Sequence, residues 1–201
     1  MLPSSFLELS NLFEQNGFSL YVIGGTSRDI LLGIDPADFD YATDATPEDE
    51  KKFLPDARYE FARFGSVKIF KDGAEIDITT LREEGEYRDF RHPSYVKFIK
   101  SPEIDSRRRD FTINALYIDK DENVLDFHGG LEDLQKKRIR FIGDPDLRIK
   151  EDPLRILRAY RFQKRLEGFH FDPATEAALR RNEGYLEKLN PAKVKMEREK
   201  E

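Results

Sequence analysis

The chain has 201 residues, 38% of them hydrophobic and 37% charged, and a formal net charge of −6. This composition favours a globular protein with one domain and a small appendage. Cysteine is absent, which excludes disulfides and thiolate metal sites and is typical of a reducing cytosol. We find neither a secretion signal nor an apolar run as long as a membrane span, so we expect a cytoplasmic protein without membrane contact.

An acidic total argues against a nucleic-acid partner, but the basic residues are clustered along the chain. They concentrate at residues 107–109 and 136–138 and in a set of arginines at helical spacing, Arg155, Arg158, Arg161 and Arg165. The acidic residues concentrate elsewhere, at 47–52 and 119–122. Because the local distribution of charge decides contact with a polyanion, an RNA partner remains open.

The first predicted elements are a covering helix, a strand and a glycine turn. Residues 4–16 place their apolar side chains on one helical stripe, and residues 20–23 form the apolar run of a buried strand. Gly24 and Gly25 interrupt that strand, and residues 26–32 predict a helix that ends at Gly33. A glycine turn before a helix N-terminus exposes backbone N–H groups and favours anions, so it is a candidate phosphate site.

The segment Asp38-Phe39-Asp40 predicts a pair of carboxylates on one face of a strand, with Phe39 on the other face. Two carboxylates that face the same way repel each other unless a cation lies between them, and Mg²⁺ prefers oxygen ligands. Taken alone, each half of this pattern is commonplace. A Gly-Gly turn often binds nothing, and an Asp-x-Asp pair is usually a solvated strand edge or turn.

Further strands are predicted after residues 46–48, which resemble a helix start. Residues 61–64 and 67–70 are short strand candidates, and a tight turn at 71–73 leads into a strand over 74–80. Asp77 lies between two isoleucines in that strand and faces the opposite way. An isolated carboxylate of this kind is usually an exposed position on a half-buried sheet.

A long polar, aromatic and basic segment over residues 82–104 lacks periodicity and predicts a functional or mobile loop, or else a solvated insertion. The triple arginine at 107–109 follows, and we expect it at the N-terminus of a helix, where guanidinium groups can meet phosphate. On that helix Asp110 and Asn114 would be one turn apart and share a face. A hairpin, a short helix over 131–136 and a strand over 138–142 complete this part.

From residue 150 the pattern is helical only. Asp152-Pro153 predicts a capped helix start, Gly168 ends that helix, and Asp172-Pro173 repeats the device for a second helix. A third helix at 185–189 and the beginning of a fourth at 191–201 follow. Read alone, Asp152 and Arg155 are a cap and a surface ion pair. We place the domain boundary within residues 143–150.

Four motifs resemble those of a single family, in the family's order. They read GGTSRDILLG with DFDYAT, RRDFTINA, LDFHGGLEDLQKKRIRFIGDP and EDPLR, and they span roughly residues 18–170. The chain is similar to the class II tRNA nucleotidyltransferases (CCA-adding) and bacterial poly(A) polymerases, within the polymerase-β-like superfamily. The pair Thr26-Ser27 departs from the family, which usually has an apolar residue before its arginine.

The resemblance implies an α+β fold and a division into two domains. Residues 1–145 would form the nucleotidyltransferase head, a small mixed or antiparallel sheet flanked by helices. Residues 146–201 would form an all-α neck that recognises the nucleotide base and that stops in mid-helix, as in a truncated chain. The family continues with helical domains that hold tRNA, so we expect missing C-terminal domains or a complementary chain.

The resemblance also implies a role for each motif residue. The third metal carboxylate expected by the superfamily is Asp77, and the implied catalytic and metal-binding set is Asp38, Asp40 and Asp77, with two Mg²⁺ ions. The implied triphosphate-binding set is Gly24, Gly25, Arg28, Arg108 and Arg109. Positioning of the sugar falls to Asp110 and Asn114. Recognition of the base falls to Asp152, Arg155 and Arg158.

The function implied by the resemblance is addition of C and A, from CTP and ATP, to the 3′ end of tRNA. A bacterial poly(A) polymerase and a CC-adding enzyme share these motifs and remain open. A third reading belongs to another class: a truncated nucleotide-binding module that needs missing RNA-binding domains for activity.

Overall fold

The computed structural model describes residues 2–85, 94–189 and 191–198. The helices are α1 (Ser4–Gln15), α2 (Gly24–Leu31), α3 (Pro47–Glu50), α4 (Pro102–Ser106), α5 (Gly130–Gln135), α6 (Pro145–Glu151), α7 (Leu154–Arg165), α8 (Pro173–Asn182) and α9 (Pro191–Arg198). The strands are β1 (Leu20–Val22), β2 (Phe39–Thr43), β3 (Ser66–Lys71), β4 (Ala74–Thr80), β5 (Arg82–Glu84), β6 (Val96–Phe98), β7 (Leu116–Ile118), β8 (Val124–Asp126), β9 (Arg138–Ile139) and β10 (His170–Phe171). In the part of the chain so described, no helix is long and apolar enough to cross a membrane.

The described residues form two compact units. The first holds residues 2–83, 96–108 and 114–127, and the second holds the remainder, including residues 109–113 and 128–145. The division into a catalytic domain over 1–145 and a base-recognition domain over 146–201 is a functional one, and it stays a prediction.

The first unit is built on a six-stranded sheet in the order β3-β4-β2-β1-β7-β8. The pair β2–β4 is parallel, whereas β1–β2, β3–β4, β1–β7 and β7–β8 are antiparallel. A mixed sheet flanked by helices is the predicted α+β architecture, which is confirmed.

Helix α1 covers one face of this sheet, as its apolar stripe predicts. Phe6 and Phe13 are fully buried and pack in one cluster with Val22 of β1, Tyr41 of β2 and Ile78 of β4. Burying a large apolar side chain contributes about 1.5–3 kcal/mol, so this contact holds the helix to the sheet. The opposite face is less apolar: it carries a smaller cluster around Ala42 and Tyr117 and leaves room for polar side chains.

The second unit has its own core around Phe111. The ring of Phe111 stacks on Phe141 with centroids 4.6 Å apart and meets Phe162 of α7 edge-on at 5.5 Å. Strands β9 and β10 pair in parallel beside it. The expectation of helices alone after residue 150 is therefore wrong at His170–Phe171.

Several elements predicted from the sequence differ from those in the structure. The helical pattern was predicted to begin at residue 150, but α6 already occupies Pro145–Glu151, because the Asp144 carboxylate caps it and Pro145 is its first residue. Residues 61–64 form no strand; a 3₁₀ turn occupies Ala62–Phe64. The expected loop over 82–104 contains β5, β6 and the first residues of α4, and its residues 86–93 lie outside the described residues.

Candidate active site

Asp40 and Asp77 are direct neighbours on two parallel strands. The register of β2 and β4 pairs Asp40 with Asp77 and Tyr41 with Ile78. Tyr41 and Ile78 are buried against α1, so alternation turns both carboxylates to the other face. Asp38 immediately precedes β2 and is exposed, two residues from Asp40. The two strands thus bring Asp40 and Asp77 side by side on one sheet face, and Asp38 precedes this pair in the chain.

Thr26 fixes the backbone that carries two of these carboxylates. Its hydroxyl donates to the carbonyl of Asp38 at 2.9 Å and accepts from the backbone N–H of Asp40 at 2.8 Å. The side chain is 1% exposed. Thr26, one of the pair that departs from the family pattern, therefore links α2 to the Asp-x-Asp segment. Sequence reasoning missed it because the contact spans 12 to 14 residues.

Gly24 allows the glycine turn to approach the carboxylates. It has a φ of +72°, and a Cβ there would lie 3.2 Å from Oδ2 of Asp40. Both conditions favour glycine. The helix begins at Gly24 rather than at residue 26, so both glycines belong to the first turn of α2, and Gly33 ends the segment at a φ of +71° as predicted. The N-terminus of α2 is thus next to Asp40.

Arg28 is buried and held on two sides. Its Nε and Nη2 donate to Oδ1 of Asp29 at 2.9 and 2.6 Å, and its Nη1 donates to Oδ1 of Asn114 at 2.9 Å. The side chain is 1% exposed. Arg28 also lies against the glycine turn, since a Cβ on Gly25 would be 3.5 Å from its Nη2. A role at a phosphate remains a prediction. Asn114 contacts this arginine, and its predicted role at the sugar is untested.

Lys68 supplies a positive charge beside the third carboxylate. It lies directly opposite Asp77 in the β3–β4 register, and its Nζ is 3.1 Å from Oδ2 of Asp77 and 2.5 Å from Oε1 of Glu75. The hydrogen bond to Glu75, followed by the contact with Asp77, raises the pKa of Lys68. Ser66 Oγ donates to the other oxygen of Asp77 at 2.9 Å. The tight turn at 71–73 fixes this register, so the position of Lys68 opposite Asp77 could have been predicted from the sequence.

The three carboxylates predicted to bind metal are not arranged as a ready-made metal site in the structure. Over residues 2–85, 94–189 and 191–198, no group of three or more His, Cys, Asp or Glu side chains is arranged to hold a metal ion. Asp40 and Asp77 are adjacent by register, and Asp38 is two residues before Asp40 in the chain. The metal set of Asp38, Asp40 and Asp77 therefore stays a prediction.

Asp105 anchors Arg108 from within the first unit. The Asp105 side chain is 0% exposed; its Oδ1 accepts from Arg108 Nε at 2.8 Å and from the backbone N–H of Arg82 at 2.9 Å. Its Oδ2 accepts from the Tyr117 hydroxyl at 2.6 Å. The expectation that residues 107–109 begin a helix is wrong: they follow the end of α4, whose cap is Ser101. The sequence analysis did not single out Asp105, because it directly follows residues 82–104, which were predicted to be a loop.

The second unit joins the predicted base-reading arginines through Asp110. Arg155 Nε donates to Oδ1 of Asp110 at 2.8 Å, and Arg158 Nε donates to Oδ2 at 2.6 Å. Burial opposes ionisation of Asp110, but the two guanidinium groups outweigh it and hold its pKa well below the usual range. Asp110 and Asn114 share no helix face, since only the 3₁₀ turn Thr112–Asn114 follows, and that expectation is wrong.

Asp152 and Arg155 do not pair with each other. Asp152 Oδ2 accepts from Arg158 Nη2 at 2.9 Å, and its Oδ1 accepts from the N–H of Leu154 at the start of α7. Arg155 Nη1 instead donates to Glu151 and to the carbonyl of Arg148. The side chains of Asp152 and Arg158 are 14% and 21% exposed, whereas that of Arg155 is 3% exposed. The surface ion pair that EDPLR alone suggested is therefore not formed.

The backbone near Arg109 belongs to the same network. Arg148 Nη2 donates to the carbonyl of Arg109 at 3.0 Å, and Arg148 Nη1 contacts Glu151 at 2.5 Å. The predicted role of the Arg109 side chain at the triphosphate is untested. Within the second unit, the residues predicted to read the base form one connected set of ion pairs.

Comparison with known proteins identifies relatives over nearly the whole chain. The family described as the poly A polymerase head domain matches residues 20–140. The CCA-adding enzyme of Leuconostoc citreum is 41% identical over 202 residues, covering 99% of this chain and 50% of that protein. The CCA-adding enzyme of Bacillus pumilus is 38% identical over 194 residues, covering 96% and 48%. The chain spans about half the length of the curated relatives it matches.

Solved structures give the same result for the fold. The Bacillus stearothermophilus CCA-adding enzyme in complex with CTP superposes with a TM-score of 0.88 at 34% identity, over 99% of this chain and 49% of that one. The Thermotoga maritima CCA-adding enzyme complexed with tRNA superposes with a TM-score of 0.74 at 32% identity, over 96% and 45%.

Proposed function

The chain belongs to the poly A polymerase head-domain family, and from this premise we propose that it carries the catalytic and base-selecting part of a CCA-adding tRNA nucleotidyltransferase. It would add C and A from CTP and ATP to a tRNA 3′ end and release pyrophosphate. Relatives named CCA-adding enzymes favour this reading over a poly(A) polymerase or a CC-adding enzyme. The absence of cysteine supports a reducing, cytoplasmic setting.

The observation that carries the proposal is the register of Asp40 and Asp77 beside the glycine turn. Two carboxylates on adjacent parallel strands repel unless a cation offsets them, and the Lys68 ammonium already contacts Asp77. An all-oxygen donor set on a half-exposed sheet face fits Mg²⁺. Asp38, Asp40 and Asp77 would hold two such ions, which when bound activate the attacking hydroxyl and stabilise the leaving oxygens.

The protein's own contribution is to position the reacting groups. Thr26 holds the Asp-x-Asp backbone, and the first turn of α2 at Gly24 and Gly25 would receive the triphosphate on its N–H groups. Arg28 supports this turn, and Arg108 with Arg109 would neutralise the remaining phosphate charge. No covalent intermediate is needed, because phosphoryl transfer depends on positioning and electrostatics.

Base selection is proposed for the second unit. A carboxylate accepts from the exocyclic amino group that cytosine and adenine share, and a guanidinium donates to the neighbouring ring acceptor; uracil and guanine present the opposite pattern. Asp152, Arg155 and Arg158 supply these groups: Asp110 pairs with both arginines, and Asp152 pairs with Arg158. The network would fix the direction of the guanidinium groups.

The experiment is to sequence the products made with Mg²⁺, CTP and ATP from tRNAs that end before CCA, after C and after CC. Restoration of CCA on all three supports the proposal. Addition of C alone or of repeated A would assign a CC-adding enzyme or a poly(A) polymerase. Tight CTP binding without incorporation would support the alternative of a nucleotide-binding module that lacks its RNA-binding domains.

A further inference from the structure

The edge strand β3 turns three side chains to the face that carries the carboxylates. In the β3–β4 register Lys68 is opposite Asp77 and Phe70 is opposite Glu75, and directly opposed residues of an antiparallel pair share a face. Ser66, Lys68 and Phe70 therefore lie on the Asp77 face. On the other face, Val67 is fully buried and Ile69 packs against the α1 cluster.

Phe70 is 72% exposed, the highest value among the large hydrophobic residues that the structure describes. A single exposed apolar side chain is ordinary on a protein surface and carries no conclusion by itself. Its position is what matters. Phe70 and Asp77 are diagonal neighbours in this register, and such neighbours, about 7–8 Å apart, are within reach of an aromatic side chain.

In-line transfer determines the side from which the RNA hydroxyl must come. The proposed triphosphate site is at the first turn of α2, which follows β1 and is tied to β2 by Thr26 and to the segment before β7 by Asn114. In phosphoryl transfer the attacking and leaving oxygens are roughly in line. The hydroxyl therefore approaches from the opposite side, and in the order β3-β4-β2-β1 that side is β4 and then β3.

From these observations, and resting on the function proposed above, we propose that Phe70 is a stacking platform for the 3′-terminal base of the acceptor RNA. Every base has a π face, so aromatic stacking tolerates any sequence. Such tolerance suits an acceptor whose last base changes after each addition. Arg58 and Lys68 both pair with Glu75 opposite the ring, which offsets the negative charge that would repel an RNA backbone there.

The test compares Phe70→Ala and Phe70→Trp with the unaltered chain. The matched control is Leu7→Ala, an exposed apolar residue on α1, which covers the other sheet face. Transfer from CTP to tRNA lacking CCA is measured at varied RNA and varied CTP. We expect Phe70→Ala to raise the KM for RNA about tenfold, with the KM for CTP unchanged and Phe70→Trp near the unaltered value. An unchanged KM for RNA in an active Phe70→Ala protein would overturn the proposal and leave the proposed function standing.

A crosslinking arm keeps the proposal testable if the chain proves inactive. An RNA oligonucleotide that ends in 4-thiouridine is irradiated with the protein, digested with trypsin and mapped. We expect the crosslink in the peptide of residues 69–71 and its loss in Phe70→Ala. Crosslinks confined to other peptides, or a yield unaffected by Phe70→Ala, would overturn the platform. A crosslink at 69–71 without any nucleotide transfer would count against the proposed function alone.

Discussion

Glu50 gives the sharpest prediction about stability. It is the last residue of the short helix α3, its side chain is 0% exposed, and neither carboxyl oxygen has a hydrogen-bond partner among the described residues. Burial, with a smaller contribution from the Asp49 charge, raises the pKa of Glu50 from its usual value of 4.5 to about 9. The folded protein therefore keeps this carboxyl protonated at neutral pH.

The sign of the pH dependence follows from linkage. Because the folded state binds the Glu50 proton more tightly than the unfolded chain, its contribution to stability is complete below about pH 4.5 and is lost as pH rises through about 9. Each pH unit in that window costs at most about 1.4 kcal/mol of unfolding free energy. Structural relaxation reduces this ceiling, so a total of a few kcal/mol is the expected order.

We therefore expect Glu50→Gln to flatten the pH dependence of stability. The assay is urea unfolding at pH 5, 6, 7 and 8, because the free energy in water can be extrapolated at each pH. The control is Glu48→Gln, a residue of the same helix whose side chain is 76% exposed. An unchanged slope in Glu50→Gln would refute the assignment of a buried, protonated carboxyl.

Three further predictions concern the candidate site. Thr26→Val keeps the side-chain shape but removes both hydrogen bonds to the Asp-x-Asp backbone, and it should lower kcat about a hundredfold. Thr26→Ser keeps the hydroxyl and should keep the rate. Equal kcat values for the two variants would contradict the role given to the hydroxyl. Asp105→Asn weakens the hold on Arg108 and should raise the KM for CTP about tenfold in protein that remains folded by thermal unfolding; Tyr117→Phe, which leaves that ion pair in place, should have a smaller effect. Arg155→Ala should reduce discrimination against UTP and GTP more than it weakens triphosphate binding, and unchanged selectivity would limit Arg155 to its ion pairs.

Local patterns and family motifs predicted much of the first unit. The alternation of Asp38, Phe39 and Asp40 placed Phe39 against α1, and Gly33 ends its segment in the left-handed conformation. These features depend on neighbouring residues, so the sequence suffices. The position of Lys68 opposite Asp77 was also predictable, because a tight turn fixes which residues of a hairpin oppose each other.

The remaining features depend on contacts between distant segments. Thr26 and Asp105 are positioned by residues 12 to 23 places away, and no spacing rule predicts such partners. The arginines at 107–109 were expected at a helix start because capping at Ser101-Pro102 was overlooked. Helix α6 was missed although Asp144-Pro145 repeats the signal used at Asp172-Pro173. The partners of Thr26 and Asp105 depend on the tertiary structure. The end of α4 before residues 107–109 and the start of α6 could both have been predicted from local capping signals.

The most direct test of the central claim is incorporation of labelled CTP into tRNA that lacks CCA. It is measured with Mg²⁺ for the unaltered chain, Asp40→Asn and Asp77→Asn, each checked for folding by thermal unfolding. The account predicts incorporation by the unaltered chain and a loss of about 10³-fold or more in both variants, since carboxylates that hold catalytic metal ions would supply several kcal/mol of transition-state stabilisation. Incorporation by folded Asp40→Asn and Asp77→Asn within tenfold of the unaltered chain would contradict it.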